Sequence, residues 1–393
     1  AASDVYKRQG QQQQPEPMTE DEIVNAVRKE INWASDLRRD DLDGNRVRAW
    51  DYFNGKAPGS LDEDIDEHFQ DIVSRDVANA VEATLAEILP AFATDRPATF
   101  DPAGPGDEEQ VELESDICND ILMEAGSGYL ELSTAAKNAL LLRLGIIEVI
   151  WEDQADVNYR TLPQATPQML AVLAQQDPCA EVRAIEGTAS GVEVRSRSRR
   201  QKCRPEAVPT DEFLVSSDCT SLDLDRARFV GRQTLISRSD LKAMGFDAET
   251  VDALKPYTST TLTRSRSARE RNTWGREKHS GDQSTELVMC VRCYYRLDED
   301  RDGIAERRYI LVGGTWGSWT LLHDEPISYQ PFAAGAAYLW PHMPYGVSLY
   351  DKLKSVQDVR TKFRRVMLEA AQRNARDRVL LGPGVDMDLS LIH

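Results

Sequence analysis

The chain holds 393 residues, 47 of them Lys or Arg and 66 Asp or Glu, for a formal net charge of −19. That length accommodates two or more cores at roughly 100–200 residues per domain. The acidity argues against a protein that grips nucleic acid through its overall field, because such binding works by neutralising phosphates, but it leaves open a protein that DNA passes without being held. No apolar run reaches the roughly eighteen residues of a membrane-spanning helix, so no membrane contact is expected. The polar, glutamine-rich start is not the pattern of a signal peptide. The six cysteines are scattered, as suits reduced thiols in a cytosolic compartment.

Both ends read as foreign. Asp4–Gln9 and Leu389–His393 have the look of a sequencing-transposon end translated in an open frame, and Gln11–Pro17 is low-complexity. On that reading residues 1–18 are an artefactual or disordered tail, Met18 is the candidate start, 389–393 is an artefactual end, and the chain is a fragment of a protein that continues past Asp388.

Residues 19–145 predict helices. Thr19 and Glu22 make a capping box, followed by Ile23, Val27, Ile31, Ala34 and Leu37 at helical spacing. A second helix carries Val47, Trp50 and Phe53 and stops at Gly55, and the acidic GSLDEDIDEH is a loop. A third runs from Asp71 to Leu89, with Ile72, Val73, Val77, Val81, Leu85 and Ile88 on one side and Pro90 at its end. Two more cover about Glu108–Ala125 and Ser133–Leu144, the last closed by Gly145.

Residues 146–340 switch to period two and short apolar runs. Ile146–Trp151 reads as a buried strand, then a hydrophilic arm extends from Asp153 to Arg204 and ends in the basic RSRSRRQKCR. Phe213–Val215 and Arg228–Ile236 predict strands, Ser239–Met244 a short helix, and the second Arg/Ser tract, Arg264 to Lys278, a loop. Glu286–Leu297 and Ala305–Val312 form a hairpin around DEDRDG, and Trp319–His323 adds a strand.

Residues 341–378 carry one long amphipathic helix after a Pro/Gly-rich turn. Ser348 caps it, with Asp351 completing the box. Leu349, Leu353, Val356, Phe363, Val366 and Ala370 form an apolar stripe, and Lys352, Lys354, Arg360, Lys362, Arg364 and Arg365 a basic face. From Ser348 to Arg376 it spans about 43 Å at roughly 1.5 Å per residue, which is the scale of a strut.

Motifs that carry chemistry are sparse. Asp298, Asp300, Asp302 and Gly303 match the start of an EF-hand loop, with Glu306 a further carboxylate, but Tyr309 stands where the bidentate Glu belongs and the flanks alternate like strands. The segment reads as a plain hairpin turn, with a calcium site as the alternative; no other cofactor is implied. Cys290 and Cys293 form a CxxC without a second ligand pair, and on a strand they point to opposite faces. The two Arg/Ser tracts have few aromatics on which bases could stack, so solvated loops are the plainer reading. His68, His279, His323 and His342 show no metal or triad spacing, and no GxxxxGK[ST], GxSxG or HExxH is present. The sequence offers no catalytic constellation.

Several blocks, taken in order, resemble the portal proteins of tailed bacteriophages, specifically the large portals of short-tailed phages. They are Trp33, Arg38, Trp50, Asp51, Tyr52 and Gly55; DIVSRDVANAVEATLAEILPAF, with Val73–Val77 the most recognisable; Lys137–Trp151; Pro209–Cys219; DEDRDGIAERR; and PHMPYGVSLYDKLKSVQDVRTKFRR. One departure is Arg301, where the family's hairpin often has glycine.

The resemblance implies an α+β portal fold: a helical part of the wing (19–145), a β-rich part (146–340), a stem helix (341–378) and the start of a clip (379–388). It implies a non-enzymatic homo-oligomeric ring, usually a dodecamer, at one capsid vertex of a virion assembled in the host cytoplasm. Double-stranded DNA would pass through it, and terminase, coat or scaffolding protein and tail adaptors would dock on it. Lys352, Arg360, Lys362, Arg364, Arg365 and Arg373 are the residues expected to face the channel or a neighbouring subunit. A chain lacking the rest of the clip and the returning stem helix is expected not to form stable rings alone. The alternatives are another oligomeric head–tail connector or minor capsid protein, and a nucleic-acid- or calcium-binding module built on the Arg/Ser tracts and the Asp298–Asp302 turn.

Overall fold

The structure, a computed structural model, describes residues 17–37, 42–58, 61, 67–92, 94, 96–104, 106–125, 127–162, 180–188, 191–257 and 283–375. The expected foreign ends, the tract Arg264–Lys278 and residues 379–388 lie outside these.

Helix α1 (Glu20–Leu37) forms as its sequence dictates. The Thr19 amide donates to Glu22 at 2.9 Å and the Glu22 amide to the Thr19 hydroxyl at 3.4 Å, closing the capping box. Its stripe Ile23, Val27, Ile31 and Ala34 is buried against a five-stranded antiparallel sheet of order β4-β5-β6-β7-β8. The strands are β4 (Phe213–Val215), β5 (Phe229–Ser237), β6 (Leu287–Leu297), β7 (Glu306–Thr315) and β8 (Ser318–Pro326). Phe229, Met289, Val291, Cys293, Ile310 and Val312 supply the facing side chains. The opposite face, with Val288, Cys290 and Leu311, is covered by Leu241, Val251 and Leu254, from two short helices, α7 (Arg238–Ala243) and α8 (Ala248–Ala253). Cys290 and Cys293 thus lie in separate cores, as period two requires, and cannot share a metal ion.

A second body is helical: α2 (Asp43–Phe53), a single turn α3 (Glu67–Gln70), α4 (Asp76–Phe92), α5 (Glu108–Asn119) with a π-helical turn Asp120–Ala125, α6 (Gly128–Leu142), and the long α9 (Leu349–Ala375). Ala49, Tyr52, Val77, Val81, Leu85, Leu140, Leu141 and Tyr350 share its core. The periodic reading needs several corrections here. Helix α2 buries Asp43, Arg46, Ala49 and Tyr52, because Arg46 donates to the Thr210 carbonyl at 3.0 Å and turns Val47 partly outward. Helix α4 begins at Asp76, not Asp71, leaving 72–75 outside any helix or strand, and it runs through Pro90. Gly145 does not close α6. Arg143 does so in a left-handed conformation with φ 73°, while Gly145 opens the next strand where an added Cβ would sit 2.2 Å from the Ala135 carbonyl oxygen.

The hydrophilic segment is a β-arm. β1 (Gly145–Leu162), β2 (Ala180–Thr188), β3 (Gly191–Ala207) and the short β9 (Phe332–Gly335) make an antiparallel sheet of order β2-β3-β1-β9. The tract RSRSRRQKCR is therefore part of a strand, β3, and not a loop. Its register sets it against the acidic stretch of β1, with Lys202 opposite Glu152, Gln201 opposite Asp153 and Ser198 opposite Asp156. β1 is only half-buried: Ile146 and Glu148 point inward, Val149 and Trp151 outward. Glu148 tolerates burial because Arg232 of β5 reaches it at 2.8 Å, and the same guanidinium meets Glu206 at 2.6 Å and Glu212 at 3.3 Å. Burial disfavours the Arg232 charge, but these carboxylates outweigh it and hold its pKa above the ordinary value. This cluster joins the two sheets, and removing one partner would strand a buried charge.

Candidate assembly interface on the long helix

Helix α9 starts at a capping box. The Ser348 amide and hydroxyl donate to Asp351 at 2.9 and 2.7 Å, and the Asp351 amide donates back to the Ser348 oxygen at 3.2 Å. Arg143, at the end of α6, clasps the same carboxylate with two bonds of 2.8 and 2.7 Å. Burial resists the Asp351 charge, but Arg143 and Ser348 prevail and lower its pKa. The paired guanidinium also holds Arg143 in its left-handed conformation, which costs a non-glycine residue about 1–2 kcal/mol.

Beyond the first turn, α9 docks through its polar side. Gln357, Thr361 and Arg365, spaced by four, are 1 %, 1 % and 0 % exposed. Each satisfies main-chain groups of the helical body that no regular element serves. Gln357 donates to the Tyr52 carbonyl at 3.1 Å and accepts from the Val77 amide at 2.9 Å. Thr361 accepts from the Ser74 amide at 3.1 Å. Arg365 donates to the carbonyls of Ile72 at 2.9 Å, Leu61 at 3.0 Å and Gln70. Two peptide groups of the segment 72–75, the Ser74 amide and the Ile72 carbonyl, are thus bonded to α9.

The predicted apolar stripe lies outward after Leu349 and Leu353. Val356 is 41 % exposed, Val359 69 %, Phe363 64 %, Val366 49 %, Met367 55 % and Leu368 42 %. Val359, Met367 and Leu368 widen the stripe beyond its periodic members. The sequence does carry a signal for the inner face, the Gln357-Thr361-Arg365 spacing, but a polar row reads as solvent-facing until the carbonyls it meets are known.

The basic residues divide into three groups. Arg365 is turned into the protein, so it faces neither solvent nor a neighbour; its burial follows from the three carbonyls it caps. Lys352 sits over the Tyr338 ring, 3.0 Å from its centroid, Arg360 pairs with Asp76, and Arg373 pairs with Glu369 within the helix. Lys362 and Arg364 are exposed.

At the far end of the five-stranded sheet, Asp298, Asp300 and Asp302 bring carboxylate oxygens within 4.8 Å of one another; Glu306, on β7, is outside that group. Each Asp already accepts from a turn amide: Gly303 to Asp298 at 2.9 Å, Asp302 to Asp300 at 3.2 Å and Ile304 to Asp302 at 2.7 Å. Such bonds build a tight turn without an ion.

No described helix is long and apolar enough to cross a membrane. No curated protein matches the chain. The family model described as Phage SU10 portal protein matches residues 23–389, a span that includes both sheets, the helical body and α9, and the chain belongs to that phage portal protein family.

Proposed function

We propose that this portal-family chain acts without catalysis, as one subunit of a homo-oligomeric ring at a capsid vertex. Double-stranded DNA passes through the ring, and terminase, coat or scaffolding protein and tail adaptors dock on it. A dodecamer is the stoichiometry the portal resemblance implies. The observation that carries the reading is the outward apolar stripe of α9, from Val356 to Leu368. A solvated helix has no reason to expose six large apolar side chains while its opposite face is occupied. A second copy of the chain covers such a face when subunits repeat around a closed symmetry axis. On this reading α9 is the stem and residues 19–340 the wing. Lys362 and Arg364 are the cations placed for DNA or a neighbour, with Lys352, Arg360 and Arg373 already engaged within the subunit. The net charge of −19 suits a conduit whose cargo must not be held by counterion release.

Sedimentation of the purified chain across concentration tests the subunit contact. Reversible self-association that F363E/M367E abolishes, with the thermal midpoint unchanged, supports it. A chain that stays monomeric at about 100 μM, well above the concentrations at which specific interfaces of micromolar affinity form, overturns it.

A further inference from the structure

Helix α5 (Glu108–Asn119) carries the opposite charge pattern to α9. Val111, Ser115 and Asn119 form its buried side. There the Phe100 amide donates to the Ser115 hydroxyl at 3.1 Å and the Ala98 amide to the Asn119 side chain at 3.0 Å. At about 100° per residue, Leu113 and Ile117 fall on the opposite side, and they are 60 % and 49 % exposed. Two large aliphatic side chains one turn apart thus face solvent together. Every charged residue of α5 is acidic, and Glu108, Glu109, Glu112, Glu114 and Asp116 are all exposed. Glu109 and Asp116 flank the aliphatic pair on one side and Glu114 on the other. On α9 the signs are reversed. Lys352, Lys354, Arg360, Lys362, Arg364 and Arg373 are exposed, with Lys362 at one edge of the stripe and Arg360 and Arg364 beyond the other. Its three acids are partly buried and engaged: Asp351 by Arg143, Asp358 by the Tyr52 hydroxyl at 2.7 Å and Glu369 by Arg373.

We propose that the Leu113–Ile117 face of α5 is the surface on which the α9 stripe of a second copy of the chain docks. The proposal rests on the reading of α9 as a subunit interface and names the other half of that contact. A ring of more than two subunits is built from heterologous contacts, in which one patch meets a different patch on the next copy. The α9 stripe alone cannot close such a ring; its complement has to lie elsewhere on the same chain. α5 meets that need in two ways. Leu113 and Ile117 offer aliphatic cover for Phe363 and its neighbours, and the acids around them oppose the cations around the stripe. Opposite charges at the rim steer encounter and fix register, while the apolar centre is desolvated. Two α9 stripes brought together would instead juxtapose like charges, which disfavours a symmetric pair.

The test follows two variants of the whole chain by sedimentation. F363E/M367E spoils the α9 face and leaves α5 intact. L113K/I117K turns like charge toward α9 and leaves α9 intact. All four side chains are exposed, so thermal midpoints equal to that of the unaltered chain show that both variants fold. Where the unaltered chain self-associates, each variant alone is expected to lose at least about tenfold in affinity. Mixed, the two retain one good contact between them and should form a one-to-one dimer that does not grow. That dimer should weaken as salt is raised, because the charges at its rim are exposed to solvent; tightening with salt would overturn the pairing of charges. Self-association of L113K/I117K at the strength of the unaltered chain overturns the proposal and leaves the reading of α9 standing, since the stripe would then meet another surface. A mixture that stays monomeric while the unaltered chain associates overturns it as well. An unaltered chain that never associates removes the reading of α9 and this proposal together.

Discussion

Helices α1 and α9 both carry a helical apolar stripe behind a capping box, and they use it in opposite ways. α1 lays Ile23, Val27, Ile31 and Ala34 into the core of the five-stranded sheet. α9 keeps only its first turns in an apolar core and is then held by Gln357, Thr361 and Arg365 through main-chain bonds, its stripe facing out. Burying apolar area stabilises a fold wherever it occurs and fixes register only through shape. A row of side chains matched to particular carbonyls and amides fixes register directly. It also leaves the apolar face free for a surface outside the subunit. Periodicity reports that a stripe exists; what covers it depends on what the other face meets.

The largest expected effect separates the two stripes. Ile31→Ala should cost about 2–5 kcal/mol, the usual range for emptying a core site. Phe363→Ala should stay within about 0.5 kcal/mol, as for a surface change. Chemical denaturation of both variants measures the difference, and equal losses would mean that α9's stripe is buried within its own subunit. Arg365→Met should come next, at about 1–3 kcal/mol, because it leaves buried carbonyls at Leu61, Gln70 and Ile72 without their donor. Here hydrogen exchange is the sharper readout. The Ser74 and Val77 amides should lose protection while those of α1 keep theirs.

Acid should also divide the two regions. At α9, burial opposes the charges of Asp351 and Asp76, but Arg143 and Ser348 on the first, and Ser74 and Arg360 on the second, lower both pKa values. A lowered carboxyl stabilises the fold above its unfolded pKa, and that contribution disappears as pH falls through the folded value. Glu30, on α1, is the reverse case. Burial raises its pKa, with the Arg228 charge opposing, so its ionised form is a burden that lifts as pH falls through the raised value. Hydrogen exchange followed from neutrality to below about pH 4, the ordinary carboxyl range, should show α9 and the segment 72–77 loosening before the centre of α1. Loosening of α1 first would contradict the assignment.

Much of this architecture was legible because it is local. Capping boxes at Thr19 and Ser348, the hairpin around 298–303 and the strand-face argument for Cys290 and Cys293 need only neighbours in sequence, and all are present. What was not legible depends on partners far along the chain. Glu148 reads as an interruption in an apolar run until Arg232, in another sheet, is placed beside it. The basic tract of β3 reads as a loop until β1 supplies an acidic strand in register. Arg365 reads as a surface cation until Leu61, Gln70 and Ile72 present their carbonyls. Val47, Trp50 and Phe53 mark the helix correctly, and Trp50 and Phe53 pack against its core, but its most buried positions include Arg46, which reaches Thr210 across 164 positions.

The smallest effect is expected where α1 meets the hairpin turn. Arg301 occupies the turn with φ 59°, a conformation that glycine adopts without the steric penalty of a Cβ, and glycine is the residue the resemblance expects there. Its guanidinium reaches both oxygens of Glu22 at 2.8 Å, an exposed bridge of the kind that contributes little in solvent. Relief of the backbone and loss of the bridge oppose each other, and glycine also loses more freedom on folding. Arg301→Gly should therefore shift the unfolding free energy by no more than about 1 kcal/mol, in the stabilising direction at high salt, where screening removes the bridge but leaves the dihedral preference intact. A loss that persists at high salt would show that the side chain does more than span to α1.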